Sequence, residues 1–187
     1  SNPTIFQKAI QGSADYDEQQ RALVHSGASV IEQYWAMVLA DINGALDEFA
    51  QLHHDSFGGD GYVSVEVAPS LAHDGPGTEA AARALHEQID RPNLMVKIPG
   101  TVEGLAAIRR MIAEGRNINV TLIFSLDRYQ QVMDAYIDGL EEYAGTVDAD
   151  LAALGVLAAP LTVRRSGFDI AAYRAELGRS LRAELDY

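Results

Sequence analysis

Three short runs of residues, 62–67, 93–100 and 117–125, are each followed by a segment with helical apolar spacing. In the first run Val63, Val65 and Val67 alternate with Ser64 and Glu66, the two-residue period of a strand. The segments between the runs have the other period. One spans residues 78–89, with Thr78 as its expected cap. The next opens at Thr101, carries Leu105, Ile108, Met111 and Ile112 as its stripe, and has Gly115 near its end. The last spans 126–143, with Val132, Tyr136, Ile137 and Leu140 on one side. An order β-α-β-α-β-α with short connections makes parallel neighbours joined by right-handed crossovers. The fold class is therefore α/β. Strands so flanked are expected to be covered on both faces.

The remainder is read as mostly helical. Asn2-Pro3 is a turn signal ahead of a short helix at 4–11. Further helices are expected at 16–25 and 28–52, the second with an apolar stripe of Ile31, Tyr34, Trp35, Val38, Leu39 and Ile42 and an interruption at Gly44. Residues 148–154 read as a helix, 159–165 as a strand and 168–187 as a helix. A single domain over 1–187 is expected, with 143–187 left unassigned.

The middle strand, Asn93-Leu-Met-Val-Lys97-Ile-Pro-Gly100, carries the first chemical signal. Leu94, Val96 and Ile98 share one face, and Asn93, Met95 and Lys97 the other. A lysine in an interior pairs with a carboxylate or loses its proton, and the neutral amine is a nucleophile toward carbonyl carbon. The strand alone favours a plainer reading, a lysine that snorkels to solvent. Its neighbours shift that balance. Ser64 and Glu66, then Lys97, then Asn119 and Thr121 place a hydroxyl, a carboxylate, an amine, an amide and another hydroxyl on one face near the strand ends. That set fits Schiff-base chemistry. The amine forms an iminium, Glu66 moves protons, and Asn119 and Thr121 orient hydroxyls, with neither cofactor nor metal required. A structural polar network is the alternative.

Composition removes other classes. With 27 acidic against 14 basic residues the formal net charge is -13, which argues against nucleic-acid or anionic-membrane partners. Cysteine is absent, which excludes disulfides and cysteine-ligated zinc and fits a cytoplasmic protein. No apolar run is long enough for a transmembrane helix. His53-His54-Asp55 and Arg164-Arg165 read as solvated polar groups, and His73-Asp74 as a loop beside the cleft.

Ser1-Asn-Pro-Thr-Ile-Phe-Gln-Lys-Ala-Ile10, Ser64-Val-Glu-Val67, Leu71-Ala-His-Asp74, Asn93 through Gly104 and Ile118-Asn-Val-Thr-Leu-Ile-Phe-Ser125 together resemble the bacterial transaldolases. The motifs occur in that family's order, from Ser1 to about Glu142. The resemblance implies a (β/α) TIM-barrel type fold, partial or truncated relative to eight strands. It implies transfer of a dihydroxyacetone unit between sugar phosphates, without a cofactor. Lys97 matches the Schiff-base lysine, Glu66 the proton-transfer carboxylate, Thr121 the hydroxyl that positions its water, and Asn2 and Asn119 the amides that bind substrate hydroxyls. Ser1-Asn2-Pro3 would end the family's second strand. Its first strand, with an aspartate, would precede Ser1. Its phosphate-binding serine and arginines are not recognisable in 143–187. Ala68 stands where aspartate is expected, and Gly100 where alanine is more usual. These departures leave open a catalytically impaired homologue acting as a binding or assembly subunit. An open partial sheet would also call for a homo-oligomer or for the missing barrel segments, since its edges and apolar face need cover.

Overall fold

A computed structural model describes the backbone of residues 2–153 and the side chains of residues 2–146. The expected strand at 159–165 and helix at 168–187 lie outside the described residues. The described elements are α1 (Pro3–Gly12), α2 (Asp17–His25), α3 (Val30–Asp55), β1 (Val63–Glu66), α4 (Gly75–Ile89), β2 (Leu94–Pro99), α5 (Gly104–Ala113), β3 (Ile118–Thr121) and α6 (Leu126–Ala153). The strands form one parallel sheet in the order β1-β2-β3. The alternating pattern of residues 62–143 is thus realised as an α/β architecture.

Local chemistry explains where the helices begin. Asn2 is extended and accepts a hydrogen bond from the Ile5 amide at 3.0 Å, so it caps α1. In the described residues it belongs to no sheet ladder. Ser29 and Glu32 form a reciprocal capping box that starts α3. Gly44 is exposed within α3 and does not end it. Thr78 is not the cap of α4. Asp74 fills that place, accepting from the Gly77 amide at 2.9 Å, and Pro76 fits the first turn, where no amide donor is needed. Thr78 instead lies buried and donates to the Leu71 carbonyl at 2.8 Å. Thr101 accepts from the Gly104 amide at 3.1 Å at the entrance to α5. The separate helices expected at 126–143 and 148–154 are one continuous α6 through Ala153.

The core lies between the sheet and its helices. Val65, Val67, Leu94, Val96 and Ile98 pack with Ala82, Leu85, Ala107, Ile108 and Met111. Phe6 of α1, Val38, Ile42 and Leu46 of α3, Ile89 of α4, and Val132 and Ala135 of α6 complete the cluster. The opposite sheet face is not fully covered: Ser64, Glu66, Met95, Lys97 and Asn119 are all half-buried. This corrects the expectation of strands covered on both faces. Leu94, Val96 and Ile98 are buried while Met95 and Lys97 between them are not, so the two faces of β2 have different surroundings.

One polar residue ties the layers together. Asn93, 2% exposed, donates to the Leu46 carbonyl at 3.0 Å and to the Gly61 carbonyl at 3.1 Å. It connects the start of β2 to α3 and to the turn before β1, a role its sequence setting did not reveal. Outside the core, Arg83 links Glu79 of α4 to Glu114 beyond α5, and Arg109 of α5 pairs with Glu142 of α6. Among the described residues no helix is long and apolar enough to cross a membrane.

Asn93→Leu keeps the volume and removes both donors. Leaving buried carbonyls short of a partner is expected to cost about 2 kcal/mol, read as a lower urea midpoint at unchanged slope. His86 gives a pH prediction. Burial, then the Arg116 charge, lowers its pKa from the ordinary 6.5, so the folded state resists its protonation. That contribution to stability is complete above pH 6.5 and is lost as the pH falls through the depressed value. Urea unfolding between pH 7 and pH 5 is expected to show a steeper loss in the natural chain than in His86→Gln.

Candidate active site

The ladder register builds the site. Glu66 of β1 lies opposite Lys97 of β2, and Lys97 lies opposite Asn119 of β3. Register partners on parallel strands point to the same face, with neighbouring strands ~4.8 Å apart. A carboxylate, an amine and an amide therefore form one row across the sheet. Ser64 is one side-chain repeat before Glu66, and Thr121 is one repeat beyond Asn119, opposite Pro99. Asn119 Nδ2 donates to Ser64 Oγ at 3.4 Å, a long bond that spans β2 and ties the outer strands over its polar face.

The surroundings divide this row. Ser64, Lys97 and Asn119 line a cavity of about 550 Å³ with Phe6, Asp41, Phe49 and Tyr62. Glu66 and Asn2 line a neighbouring cavity of about 430 Å³ with Phe6, Tyr34, Trp35 and Val65. Phe6 contributes to both and marks the boundary between them. Asn2 spends its Oδ1 on capping α1, which leaves its Nδ2 as the donor it can offer the cavity. Thr121 lines neither of these cavities. Its Oγ1 is buried and has no hydrogen-bond partner among the described residues, an unmet polar group that a bound hydroxyl would satisfy.

Backbone geometry shapes the end of β3. The strand stops at Thr121 rather than running to Ser125, because Leu122 adopts φ 61°. The chain turns there, so the expected alternation of Leu122, Ile123 and Phe124 across a strand is broken, and Phe124 is 87% exposed. Gly100 sits directly beneath this turn. Its amide donates to the Thr121 carbonyl at 2.6 Å, and a Cβ there would stand 3.1 Å from that carbonyl and from Ile123 Cγ1. The glycine thus accommodates the close approach of β2 to the Thr121 peptide.

Two tyrosines retain their protons beyond the ordinary range: Tyr34, which lines the Glu66 cavity, and Tyr16, which bonds Asp41 in the wall of the other. Tyr16 donates to Asp41 at 2.6 Å, and this bond to a carboxylate, aided by burial, pushes its pKa up to about 12. Burial first, and the Glu66 charge second, raise that of Tyr34. Tyr34, Tyr16 and Asp41 did not stand out as site residues in the sequence. Tyr34 reads there as part of an apolar helix stripe, and the pairing of Tyr16 with Asp41 joins positions 25 residues apart. The histidines other than His86 have local partners: His25 meets the Arg21 carbonyl at 2.6 Å, His53 meets the Tyr62 ring edge-on, His54 contacts Asp55 at 3.1 Å, and His73 contacts Glu103 at 3.5 Å. Among the described residues no group of three or more His, Cys, Asp or Glu is placed to hold a metal ion.

A parallel α/β sheet that carries a carboxylate–lysine–amide row on its partly covered face defines the class: an α/β protein with a lysine-centred candidate site. Comparison with known sequences places it more narrowly. The pattern of the family described as Transaldolase/Fructose-6-phosphate aldolase matches residues 1–160, beyond the Glu142 where the recognisable motifs end, and the chain belongs to that family. The chain is 56% identical over 142 residues to a transaldolase of Saccharopolyspora erythraea, covering 76% of this chain and 38% of that protein. It is 49% identical over 156 residues to a transaldolase of Frankia alni, covering 82% of this chain and 42% of that protein. With transaldolase 1 of Streptomyces coelicolor it shares 48% identity over 154 residues, or 40% of that protein. The chain thus spans roughly two-fifths of the length of these curated relatives.

The left-handed Leu122 is a strained position that glycine occupies without a Cβ penalty. Leu122→Gly is expected to raise stability by about 0.5–1 kcal/mol, after allowance for the added freedom of the unfolded chain, measured by urea unfolding.

Proposed function

We propose that this chain carries the Schiff-base part of a transaldolase site. The observation that carries the reading is the register row Glu66–Lys97–Asn119, with Thr121 one repeat beyond it. The reaction moves a dihydroxyacetone unit from sedoheptulose 7-phosphate to glyceraldehyde 3-phosphate, giving erythrose 4-phosphate and fructose 6-phosphate, a step of the pentose phosphate pathway. Membership of the family and the names of the relatives support that choice. The cytoplasm is the compartment that suits such metabolism, and the fold is read as part of a (β/α) TIM barrel.

In this mechanism the neutral Lys97 amine adds to the ketose carbonyl. Glu66, through a water held with Thr121, protonates the departing hydroxyl, and water leaves as the iminium forms. The electrons of the carbon–carbon bond one carbon beyond the iminium then flow toward it. The Glu66 carboxylate, through the same water, takes the proton of the hydroxyl on the departing carbon, an aldose leaves as its aldehyde, and an enamine remains on Lys97. The enamine carbon attacks the aldehyde of the acceptor while Glu66 returns its proton to the aldehyde oxygen, which restores the iminium, and water then adds to the iminium carbon and releases the new ketose and the Lys97 amine. Asn119 and Asn2 hold the hydroxyls of the three-carbon unit while it is attached. No cofactor enters this sequence of steps.

A second reading rests on the surface at the end of β3. Leu122, Phe124 and Leu126 are 47%, 87% and 58% exposed, which is the kind of patch an assembly subunit uses. Trapping separates the two readings. Incubation with fructose 6-phosphate followed by borohydride is expected to add a reduced dihydroxyacetone adduct to Lys97, seen by mass spectrometry of the peptides. Lys97→Met is expected to abolish it. An unmodified Lys97 at saturating ketose leaves only the assembly reading.

A further inference from the structure

Tyr34 lies in the second turn of α3 and lines the same cavity as Glu66 and Asn2. The cavity is otherwise largely apolar, with Phe6, Ile31 and Val38 among its walls. Trp35 meets Tyr34 edge-on, with ring centroids 5.7 Å apart and planes at 73°. That contact helps to define the plane of the phenol. Among the described residues lining the cavity, the titratable groups are Tyr34 and Glu66. Beyond it, Lys97 of β2 is the register partner of Glu66, and Glu32 of α3 faces a different cavity, behind Trp35.

Two chemical facts constrain what this arrangement does. The phenol stays protonated well beyond neutral pH, because burial and then the Glu66 charge both oppose its ionisation. It is therefore a hydrogen-bond donor throughout the range in which a carboxylate titrates. Tyr34 and Glu66 line one cavity of about 430 Å³, which has room for a small hydroxylic molecule between them. A protonated phenol and a carboxylate across an apolar cavity form a donor–acceptor clamp for one water or one sugar hydroxyl.

We propose that Tyr34 is a positioning residue for Glu66: its hydroxyl donates to a water or substrate hydroxyl that in turn donates to the Glu66 carboxylate. This inference rests on the reading of Glu66 as the proton-transfer group. In that setting the clamp selects the face of Glu66 that meets the shuttled water. The fate of the proton is unchanged: it passes from Glu66 to the departing hydroxyl, and Tyr34 keeps its own.

The test compares the full chain with Tyr34→Phe by 13C NMR titration of glutamate carboxyls, with the Glu66 resonance assigned through Glu66→Gln. Both Tyr and Phe are neutral while Glu66 titrates, so any change in its midpoint reports the lost hydrogen bond rather than a lost charge. The midpoint is expected to rise by about 0.5–1 pH unit. An unchanged midpoint in a folded Tyr34→Phe variant overturns the proposal. Phenylalanine preserves the ring and its contact with Trp35. Should the variant nonetheless fail to fold, ultraviolet titration of Glu66→Gln decides: one tyrosine moving to lower pH supports the pairing, and none moving overturns it. Borohydride trapping of the natural chain is scored separately. Its failure removes the transaldolase reading, while the Glu66 midpoint still decides whether Tyr34 acts on that carboxylate.

Discussion

The register of the parallel ladder is the constraint on which the structure depends. Because Glu66 pairs with Lys97 and Lys97 with Asn119, three polar side chains meet in one row. A slip of one residue would send all three to the helix-covered face, where Val65, Val96 and Ile98 are now buried. The register is therefore defended by the core on the other side of the sheet. Val and Ile on the buried face hold the strands in place, and the polar face inherits its geometry from them. Asn93 adds a fixed point at the start of β2 by satisfying carbonyls of Leu46 and Gly61.

The site is assembled from two kinds of support. The sheet supplies the row, which is rigid because each member sits in a hydrogen-bonded ladder. The first helices supply the walls: Asn2 and Phe6 from α1, Tyr34 and Asp41 from α3. Phe6 divides the space above the row, leaving Lys97 and Asn119 on one side and Glu66 and Asn2 on the other. Phe6 places α1 against both halves of the row. At the far end, the turn at Leu122 and the close approach at Gly100 define where Thr121 stands.

Much of this arrangement was legible beforehand. The two-residue period of residues 62–67 and the single polar face of residues 93–100 gave the strands and their sidedness, because side-chain alternation is a local property of extended backbone. The family resemblance added roles to Lys97, Glu66, Thr121, Asn2 and Asn119. Errors came where a local signal had more than one structural use. Thr78 has the chemistry of a cap, yet the helix opens three residues earlier at Gly75-Pro-Gly77, since proline is tolerated in a first turn. Residues 122–125 continue an apolar alternation that a left-handed Leu122 interrupts.

The sequence by itself determined the α/β order, the membership of strands and helices, and the chemical types gathered on one face. Only the tertiary structure decided how open that face is, which cavity each site residue enters, and that Tyr34 belongs beside Glu66. The physical reason is distance along the chain. Periodicity encodes which way a side chain points from its own backbone, whereas the approach of α3 to β1 is set by the packing of Val38, Ile42 and Leu46 against strands that lie well beyond them in sequence.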